Sequence, residues 1–270
     1  MHKDFENKEW IRNYFRRLGM EVDINDAATI HTYDFLKELQ YRHVTTIPYE
    51  NLDLVSGVPI SLDIQDMYEK FIQNKRGGYC FEVNGLLSAL LKELGFPVRN
   101  CLGRYLRGAT ELPVRHHRVL EVTCGEEVYL CDVGIGQPAP RHPLKLQEGL
   151  IQSQFGEQYK FEKEEDLGWV LYDLHHGAWR PFYSFTEELQ TDKDFILPSF
   201  YCEKHPDSKF NKTYIVALKT AKGRKTINDR EFKEFADGEI LRLEENLDDT
   251  RLLEVLKSEF DIEWKGTGAL

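Results

Sequence analysis

The chain lacks a long apolar run, and it also lacks the sequence features of secreted, disulfide-rich and zinc-binding proteins. GLLSALL, residues 85–91, falls far below the roughly 20 residues that span a bilayer. The N-terminus, MHKDFENKEW, has no apolar signal-peptide core, so we expect no secretion. The five cysteines are odd in number and lack CxxC spacing, which argues against a disulfide framework or a structural zinc site. A reducing cytoplasm is the compartment that we expect.

Positive charge is also in deficit, since 35 Lys and Arg residues face 46 Asp and Glu residues and leave a net charge of −11. Such a surface argues against general nucleic-acid binding. Two segments are nevertheless basic: residues 95–120 contain five arginines and one acid, and residues 208–228 contain six basic residues and no acid. Each is either a solvated basic face or a site for a small polyanion, such as a phosphate-bearing cofactor.

Helical periodicity dominates the N-terminal third of the chain. Residues 9–18 carry apolar side chains at the spacing of one helix face, and a second such segment follows Asp26. A third is expected over residues 64–72. The clearest helix begins at Cys80, has apolar residues at 83, 86, 87, 90, 91 and 94, and ends at Gly95.

After Pro97 the pattern becomes typical of strands. RVLEVTC, EVYLCDVG and WVLYDL are short, rich in β-branched or aromatic residues, and separated by turn residues. Beyond residue 205 the pattern is mixed, with a strand at KTYIVALKT and a helix at DDTRLLEVLKSEF. This order predicts an α+β fold with an antiparallel sheet or small barrel in its middle. We expect a helical bundle at 1–95, a β-rich domain at 96–204 and an α/β segment at 205–270.

The position of Cys80 is compatible with either a reactive or a purely structural cysteine. It lies in the first turn of the best helix, where unpaired N–H groups and the helix dipole would stabilise a thiolate. Gly77 and Gly78 precede it, and glycines allow a sharp turn or the close approach of a substrate. The alternative is a buried, inert cysteine with glycines that serve only the turn.

A nucleophilic cysteine needs a histidine base and an orienting carboxylate. His117 begins HRVLEVTC, and Asp132 lies near the end of EVYLCDVG. In a hairpin with a two-residue turn at Cys124 and Gly125, His117 and Asp132 would be directly opposed and within hydrogen-bonding reach. His116 would then point to the other face. The alternative is a surface histidine and an unrelated aspartate.

The segment VGIGQP follows Asp132 directly. Gly134 and Gly136 predict a bend with exposed amides that would meet a phosphate or a carbonyl of a ligand. A lone GxG is weak evidence, because most such pairs are simply turns.

Together these motifs resemble those of the arylamine N-acetyltransferase family. The matching segments are IPYENLD at 47–53, RGGYCFEVN at 76–84, HRVLEV at 117–122, YLCDVGIG at 129–136 and, more weakly, HPDSKF at 205–210. They occur in the family's order and cover most of the chain. The RGGxCxxxN block with correctly spaced His and Asp is highly specific, whereas Gly-Gly-x-Cys alone would not be.

The resemblance implies a three-part α+β fold: an N-terminal helical bundle, a central antiparallel β-barrel and a C-terminal α/β lid. It implies a triad of Cys80, His117 and Asp132 like that of cysteine proteases. It also implies ping-pong acetyl transfer, without a metal, from acetyl-coenzyme A to an arylamine, hydrazine or arylhydroxylamine. Neither nucleic acid nor a membrane is expected as a partner.

The resemblance extends to residues around the triad. Positions that match the family's acceptor pocket are Tyr49, Leu106 and Ile135. Residues expected to contact coenzyme A are Gly134, Gly136, Ser208 and Lys209, the last two at the start of the second basic segment. We expect Arg76 to pair with Glu50 and to brace the Cys80 loop; the alternative is two unrelated surface charges.

Other functions remain compatible with the same residues. An amide synthase on this scaffold would use a different acyl donor, and a cysteine hydrolase or transglutaminase-like enzyme would pass the acyl group to water or lysine. A non-catalytic binding protein would leave Cys80 inert.

Overall fold

The N-terminal part is helical, as predicted, in the computed structural model of the chain, which describes residues 3–6 and 8–264. Its helices are α1 (Lys3–Glu6), α2 (Glu9–Arg17), α3 (Ala27–Ile30), α4 (Tyr33–Thr46), α5 (Leu52–Val55), α6 (Ile64–Tyr68) and α7 (Cys80–Glu93). A π-helical turn, Glu69–Gln73, extends α6, and a short strand, β1 (Tyr49–Glu50), lies between α4 and α5. Side chains of Asp26, Thr32 and Asp63 accept backbone hydrogen bonds and so define where α3, α4 and α6 begin.

Helix α7 is the central element of this bundle. Its stripe of leucines, including Leu86 and Leu90, is buried in one core with residues of α2, α4 and α6. The helix ends at Glu93 with Leu94 as its C-cap, and Gly95 follows with a φ of 87°, the left-handed conformation predicted for it. Burial of this stripe fixes the direction in which Cys80, the first residue of α7, meets the β-rich part.

Eight antiparallel strands form the central part. They are β2 (Val98–Tyr105), β3 (His117–Cys124), β4 (Glu127–Cys131), β5 (Leu144–Lys145), β6 (Gln152–Gln154), β7 (Glu157–Glu164), β8 (Gly168–His175) and β9 (Ala178–Phe185). The order across the sheet is β5-β4-β3-β2-β9-β8-β7-β6. Side chains of β3 alternate between two cores: Val119 packs inside the sheet, whereas Leu120 and Val122 pack against the helical bundle.

Two glutamine side chains bridge the edges of this sheet and leave it a nearly closed barrel. Lys145 N–H donates to Gln152 Oε1 at 2.7 Å, and Gln152 Nε2 donates to Lys145 O at 2.9 Å. His142 and Gln154 repeat the pattern at 2.7 and 3.1 Å. The side-chain amides thus form hydrogen bonds with backbone N–H and C=O groups at the sheet edge, which a neighbouring strand would otherwise bind.

The C-terminal part combines helices with a second sheet. A 3₁₀ turn, Asp192–Phe195, leads into α8 (Ile196–Lys204), and then come β10 (Ile215–Lys219), β11 (Gly223–Asn228), β12 (Glu231–Ala236), β13 (Glu239–Glu244) and α9 (Asp249–Phe260). The sheet order is β1-β10-β11-β12-β13, so its first strand comes from the N-terminal part. Tyr49 of β1 pairs with Ala217 on one side and forms a bridge to Gly78 on the other.

This architecture confirms the predicted α+β class with a central antiparallel barrel. The division at 1–95, 96–204 and 205–270 stays a prediction, and residues 1–2, 7 and 265–270 lie outside the described part of the chain. Within residues 3–6 and 8–264, no helix has both the length and the apolar character needed to span a bilayer. The start of α7, strands β3 and β4, and β1 meet at one place, where the candidate site lies.

Candidate active site

The loop that leads into α7 packs tightly against the chain around Pro48. Glu50 N–H donates to Gly78 O at 3.0 Å. A Cβ on Gly77 would lie 1.9 Å from Pro48 O, and a Cβ on Gly78 would lie 2.7 Å from a ring carbon of Phe71. Neither glycine has a left-handed φ, so both are required for close packing of this loop rather than for a turn.

A buried network of charges braces this loop, and it includes the expected Arg76–Glu50 pair. Arg76 Nη2 lies 2.7 Å from Glu50 Oε1 and 2.8 Å from Asp53 Oδ1. Lys70 Nζ lies 2.7 Å from Asp53 Oδ2 and 2.8 Å from Glu82 Oε1. Burial alone would lower the pKa of Arg76, but Glu50 and Asp53 raise it overall, so the guanidinium stays charged. Arg76 and Glu50 are thus in contact within a larger network, and their role as a brace of the Cys80 loop stays a prediction.

Glu82 connects this network to the start of α7. Its Oε2 accepts the N–H of Tyr79 at 3.2 Å, which satisfies one of the donors at the helix N-terminus. Burial raises the pKa of Glu82 to about 7, although Lys70 opposes that shift. The peptide before Cys80 is thus held by a side chain from within α7 itself.

Cys80 is 3% exposed, and its sulfur contacts the peptide groups on both sides of His117. Sγ donates to His116 O at 3.6 Å, and the backbone N–H of Arg118 favours the thiolate. Burial, followed by the nearby thiol of Cys202, nevertheless raises the pKa of Cys80 well above its ordinary value. Burial therefore opposes ionisation of this thiol, and a thiolate at the start of α7 stays a prediction.

His117 and Asp132 form a buried pair beside this thiol. Nε2 of His117 lies 2.8 Å from Oδ2 of Asp132, and their side chains are 3% and 1% exposed. The ring edge of His117 also meets the ring of Tyr183, with centroids 5.1 Å apart. His116 points elsewhere, as expected: its Nδ1 lies 2.7 Å from Val114 O.

The register of the β3–β4 hairpin differs from the expected one. Leu120 pairs with Cys131 instead of Tyr129, because Gly125 and Glu126 form the turn. His117 and Asp132 are therefore not directly opposed, and that prediction is wrong. The difference is two residues, so the alternation of side chains is preserved and both groups still share a face.

Asp132 receives hydrogen bonds at both carboxylate oxygens. Besides His117, Asn84 Nδ2 donates to Oδ1 at 2.9 Å, and the N–H of Gly134 donates to the same oxygen at 2.8 Å. Burial alone would raise the pKa of Asp132, but His117, then Asn84 and Gly134, lower it overall. The carboxylate therefore stays ionised and orients the imidazole.

Gly134 does not present the exposed amide that was expected for a coenzyme A contact. The residue is buried and its N–H belongs to Asp132. A Cβ there would lie 2.7 Å from the Cα of Cys80 and 2.8 Å from Asn84 Nδ2. Gly136 is only partly buried and has a φ of 74°, so it remains a candidate for a ligand contact.

The three expected acceptor-pocket residues lie in different settings. Tyr49 is 8% exposed and belongs to the same apolar cluster as Cys80. Ile135 packs partly against both the bundle core and the barrel core. Leu106 follows the end of β2, where its N–H donates to Phe182 O at 2.9 Å.

Ser208 and Lys209 also differ from each other. Ser208 is buried, and its hydroxyl donates to Cys202 O at 2.6 Å, so its side chain stabilises this loop instead of offering a donor to coenzyme A, contrary to the expectation. Lys209 is exposed. Elsewhere in the basic segment, Lys219 pairs with Glu157 and Lys225 with Glu259, at 3.1 and 2.7 Å. Acids from distant parts of the chain therefore neutralise part of its charge.

Several residues that hold the site were not identified from the sequence. Asn84 joins Asp132 to the backbone of β3 through Arg118 O, and its Oδ1 accepts the N–H of Val133 at 3.0 Å. Gln40 accepts the N–H of Asp132 at 3.3 Å. The position of Asn84 one helical turn after Cys80 was an available signal, whereas Gln40 gave none. Across residues 3–6 and 8–264, no group of three or more His, Cys, Asp or Glu residues could hold a metal ion.

Comparison with known proteins gives one consistent family. The family model for N-acetyltransferase matches residues 32–268. Among curated proteins, the chain is 34% identical to the arylamine N-acetyltransferase of Escherichia coli (strain K12), over 93% of this chain and 88% of that protein.

Solved structures agree with this similarity. The arylamine N-acetyltransferase from Salmonella typhimurium superposes with a TM-score of 0.89 at 30% identity, covering 96% of this chain and 93% of that one. The Mycobacterium marinum arylamine N-acetyltransferase in complex with CoA gives a TM-score of 0.85 at 29% identity, covering 94% and 93%.

Proposed function

Because the chain belongs to the arylamine N-acetyltransferase family, we propose that Cys80, His117 and Asp132 are the triad through which it acetylates arylamines. Acetyl-coenzyme A is the donor, and an arylamine is the acceptor. The observation that carries the assignment of residues is the contact of the Cys80 sulfur with the backbone on both sides of His117, whose Nε2 is held by Asp132.

The first half-reaction acylates the enzyme. Since Asp132 holds Nε2 of His117, Nδ1 is the nitrogen that takes the proton of Cys80. The thiolate attacks the thioester carbonyl, and N–H groups in the first turn of α7 stabilise the oxyanion. The bond from the carbonyl carbon to the coenzyme A sulfur breaks, that sulfur takes the proton from His117, and the acetyl group stays on Cys80.

The second half-reaction releases the acetyl group. The nitrogen of the amine attacks the acetyl carbon, and His117 accepts the proton that the nitrogen loses. The Cys80 sulfur leaves and is reprotonated from His117, so the enzyme returns to its starting state. Ionised Asp132 stabilises the imidazolium in both halves.

The acceptor is proposed to bind against Tyr49 and Ile135, since an apolar cluster beside Cys80 suits an aromatic ring. Hydrazines and arylhydroxylamines are proposed as further acceptors, because each presents a comparable nucleophilic nitrogen or oxygen. Lys209 and Gly136 are proposed to contact coenzyme A. We further propose the cytoplasm as the compartment; the free state of all five cysteines supports it.

The test is the intact mass of the protein after brief mixing with acetyl-coenzyme A and no amine. We expect one acetyl increment on the native chain, none on Cys80→Ser, and loss of the increment when an arylamine is added. An increment that decays equally fast without amine would favour a hydrolase. An unacetylated protein whose Cys80 is still rapidly alkylated would point to a different acyl donor.

A further inference from the structure

Arg118 follows His117 on β3 and therefore projects from the opposite face, toward α7. Its side chain is 3% exposed. Nε and Nη2 donate to Asn100 Oδ1 at 3.1 and 2.8 Å, and Nη2 donates to Asp192 Oδ1 at 2.9 Å. The guanidinium also stacks over the ring of Phe195, 4.2 Å from its centroid. A permanent positive charge is thus held in one orientation inside the protein.

Helix α7 is built to accommodate this charge. Gly85 lies in the interior of the helix, where glycine is less favourable than alanine. A Cβ on Gly85 would lie 3.0 Å from Nη1 of Arg118 and 3.3 Å from the end of the Met67 side chain. The missing side chain lets the guanidinium approach the helix whose first residue is Cys80.

The charge of Arg118 is only partly neutralised. Within residues 3–6 and 8–264 its ion-pair partner is Asp192, whose side chain is 69% exposed and therefore well solvated. Burial lowers the pKa of Arg118, whereas Asp192 and then Cys80 raise it. The guanidinium stacks over Phe195, which belongs to the same buried cluster as Cys80, and the backbone N–H of Arg118 favours the Cys80 thiolate.

Two neighbouring acidic groups oppose ionisation of the thiol. Cys202 and Asp132 disfavour its thiolate, and the tyrosines beside it, Tyr49 and Tyr79, have pKa values that burial raises far above neutrality. The His117 imidazolium is then the countercharge that the triad supplies once the proton has moved. A second cation packed against α7 at Gly85 would offset part of the desolvation that opposes ionisation.

We propose that Arg118 is a positioning residue of the acetyl transfer, whose buried guanidinium stabilises the thiolate of Cys80 and whose strength is tuned by Asp192. Arg118 neither gives nor takes a proton; it shifts the equilibrium of the proton transfer from Cys80 to His117. The inference rests on the proposed role of Cys80 as nucleophile.

Two substitutions separate this electrostatic role from a structural one. Arg118→Met removes the cation, so the pH of half-maximal alkylation of Cys80 by iodoacetamide should rise by about one unit. Asp192→Asn keeps an oxygen acceptor but removes the neutralising charge, so the same midpoint should fall by about half a unit. A pair that merely held the 3₁₀ turn in place would shift the midpoint in the same direction in both variants, because either change loosens the same contact.

The exposed pair Arg115–Glu188, with a separation of 2.6 Å, provides matched controls. Arg115→Met and Glu188→Gln should leave the midpoint within about 0.2 units, since exposed charges are screened. Opposite shifts in the two test variants support the proposal; shifts of one sign, or none, overturn it. If Arg118→Met does not fold, Asp192→Asn decides alone, and a midpoint that stays or rises overturns the proposal.

The readout is independent of the donor. Each variant is also mixed with acetyl-coenzyme A and its intact mass measured. If Cys80 of the native chain is alkylated but never acetylated, the proposed function is refuted, and the alkylation midpoints still test the role of Arg118. A native chain that acetylates while the midpoints do not move refutes only the role of Arg118.

Discussion

Replacing Gly134 by alanine tests whether the close approach of the loop after β4 to α7 sets the geometry of the triad. The new Cβ would lie 2.7 Å from the Cα of Cys80, 2.8 Å from Asn84 Nδ2 and 3.0 Å from a methyl group of Val83. The φ of Gly134 is outside the left-handed region, so the backbone itself accepts alanine. The perturbation is therefore a single methyl group placed between the two elements that carry the triad.

The expected size of the effect follows from the overlap. Unbonded carbon atoms settle at about 3.5–4.0 Å, so the two backbones must separate by roughly 1 Å. A misplacement of that size costs about 100-fold in rate when it separates reacting groups. Overpacking of this kind also lowers the free energy of unfolding by about 1–3 kcal/mol, which leaves a folded protein to measure.

The assay is single-turnover acetylation of Cys80 by acetyl-coenzyme A, followed by quenching and intact mass, with urea unfolding alongside. Gly177→Ala is the matched control: Gly177 has a φ of 77° and no atom within 4 Å of the new methyl group. We expect that variant to lose about 1 kcal/mol of stability through backbone strain and to acetylate at the native rate.

The reasoning fails if Gly134→Ala acetylates within about threefold of the native rate. That result would mean that the loop after Asp132 moves without moving the carboxylate. Equal losses of rate in both glycine variants would attribute the effect to general destabilisation instead.

Three further predictions concern the charges of the site and of the bundle. Asp132→Asn should lower the acetylation rate by about 10³–10⁴-fold in single-turnover assays, because an amide facing His117 favours the wrong tautomer; near-native rates would contradict the triad. Arg76→Met should lower the free energy of unfolding in urea by about 3–5 kcal/mol by leaving buried Glu50 unpaired, and an unchanged value would refute the brace. Burial, then Arg17, lowers the pKa of His43 from 6.5 to about 3. Between those pH values only the unfolded chain binds the proton, so native stability should fall on acidification by up to about 1.4 kcal/mol per pH unit, and His43→Phe should flatten that slope in urea titrations.

Local patterns predicted those parts of the fold that depend on near neighbours in sequence. The leucine stripe of α7 and the left-handed Gly95 were readable because helix periodicity and end signals act within a few residues. The strands around His117 and Asp132 were readable for the same reason. The predicted register of the hairpin is wrong by two residues. Because a shift of two preserves the alternation of side chains, the prediction that His117 and Asp132 share one face still holds.

Contacts between distant segments were beyond such patterns. Lys219 lies in a segment without acids, yet its partner Glu157 comes from the barrel. Ser208 was expected to meet a ligand, but its hydroxyl is used within its own loop. Nor does periodicity show that burial raises the pKa of Cys80, because desolvation depends on what the whole chain places around the sulfur.

The double pairing of β1 has a consequence for how substrates enter. Tyr49 joins the C-terminal sheet through Ala217 and the nucleophile loop through Gly78, and Asn51 Nδ2 adds bonds to Phe210 O and Thr213 O at 2.8 Å each. A hinged flap would have to break a strand of its own sheet each time it opened. The C-terminal sheet is therefore tied directly to the nucleophile loop, so we expect coenzyme A and the amine to enter by local movements of side chains and loops and not by opening of this sheet.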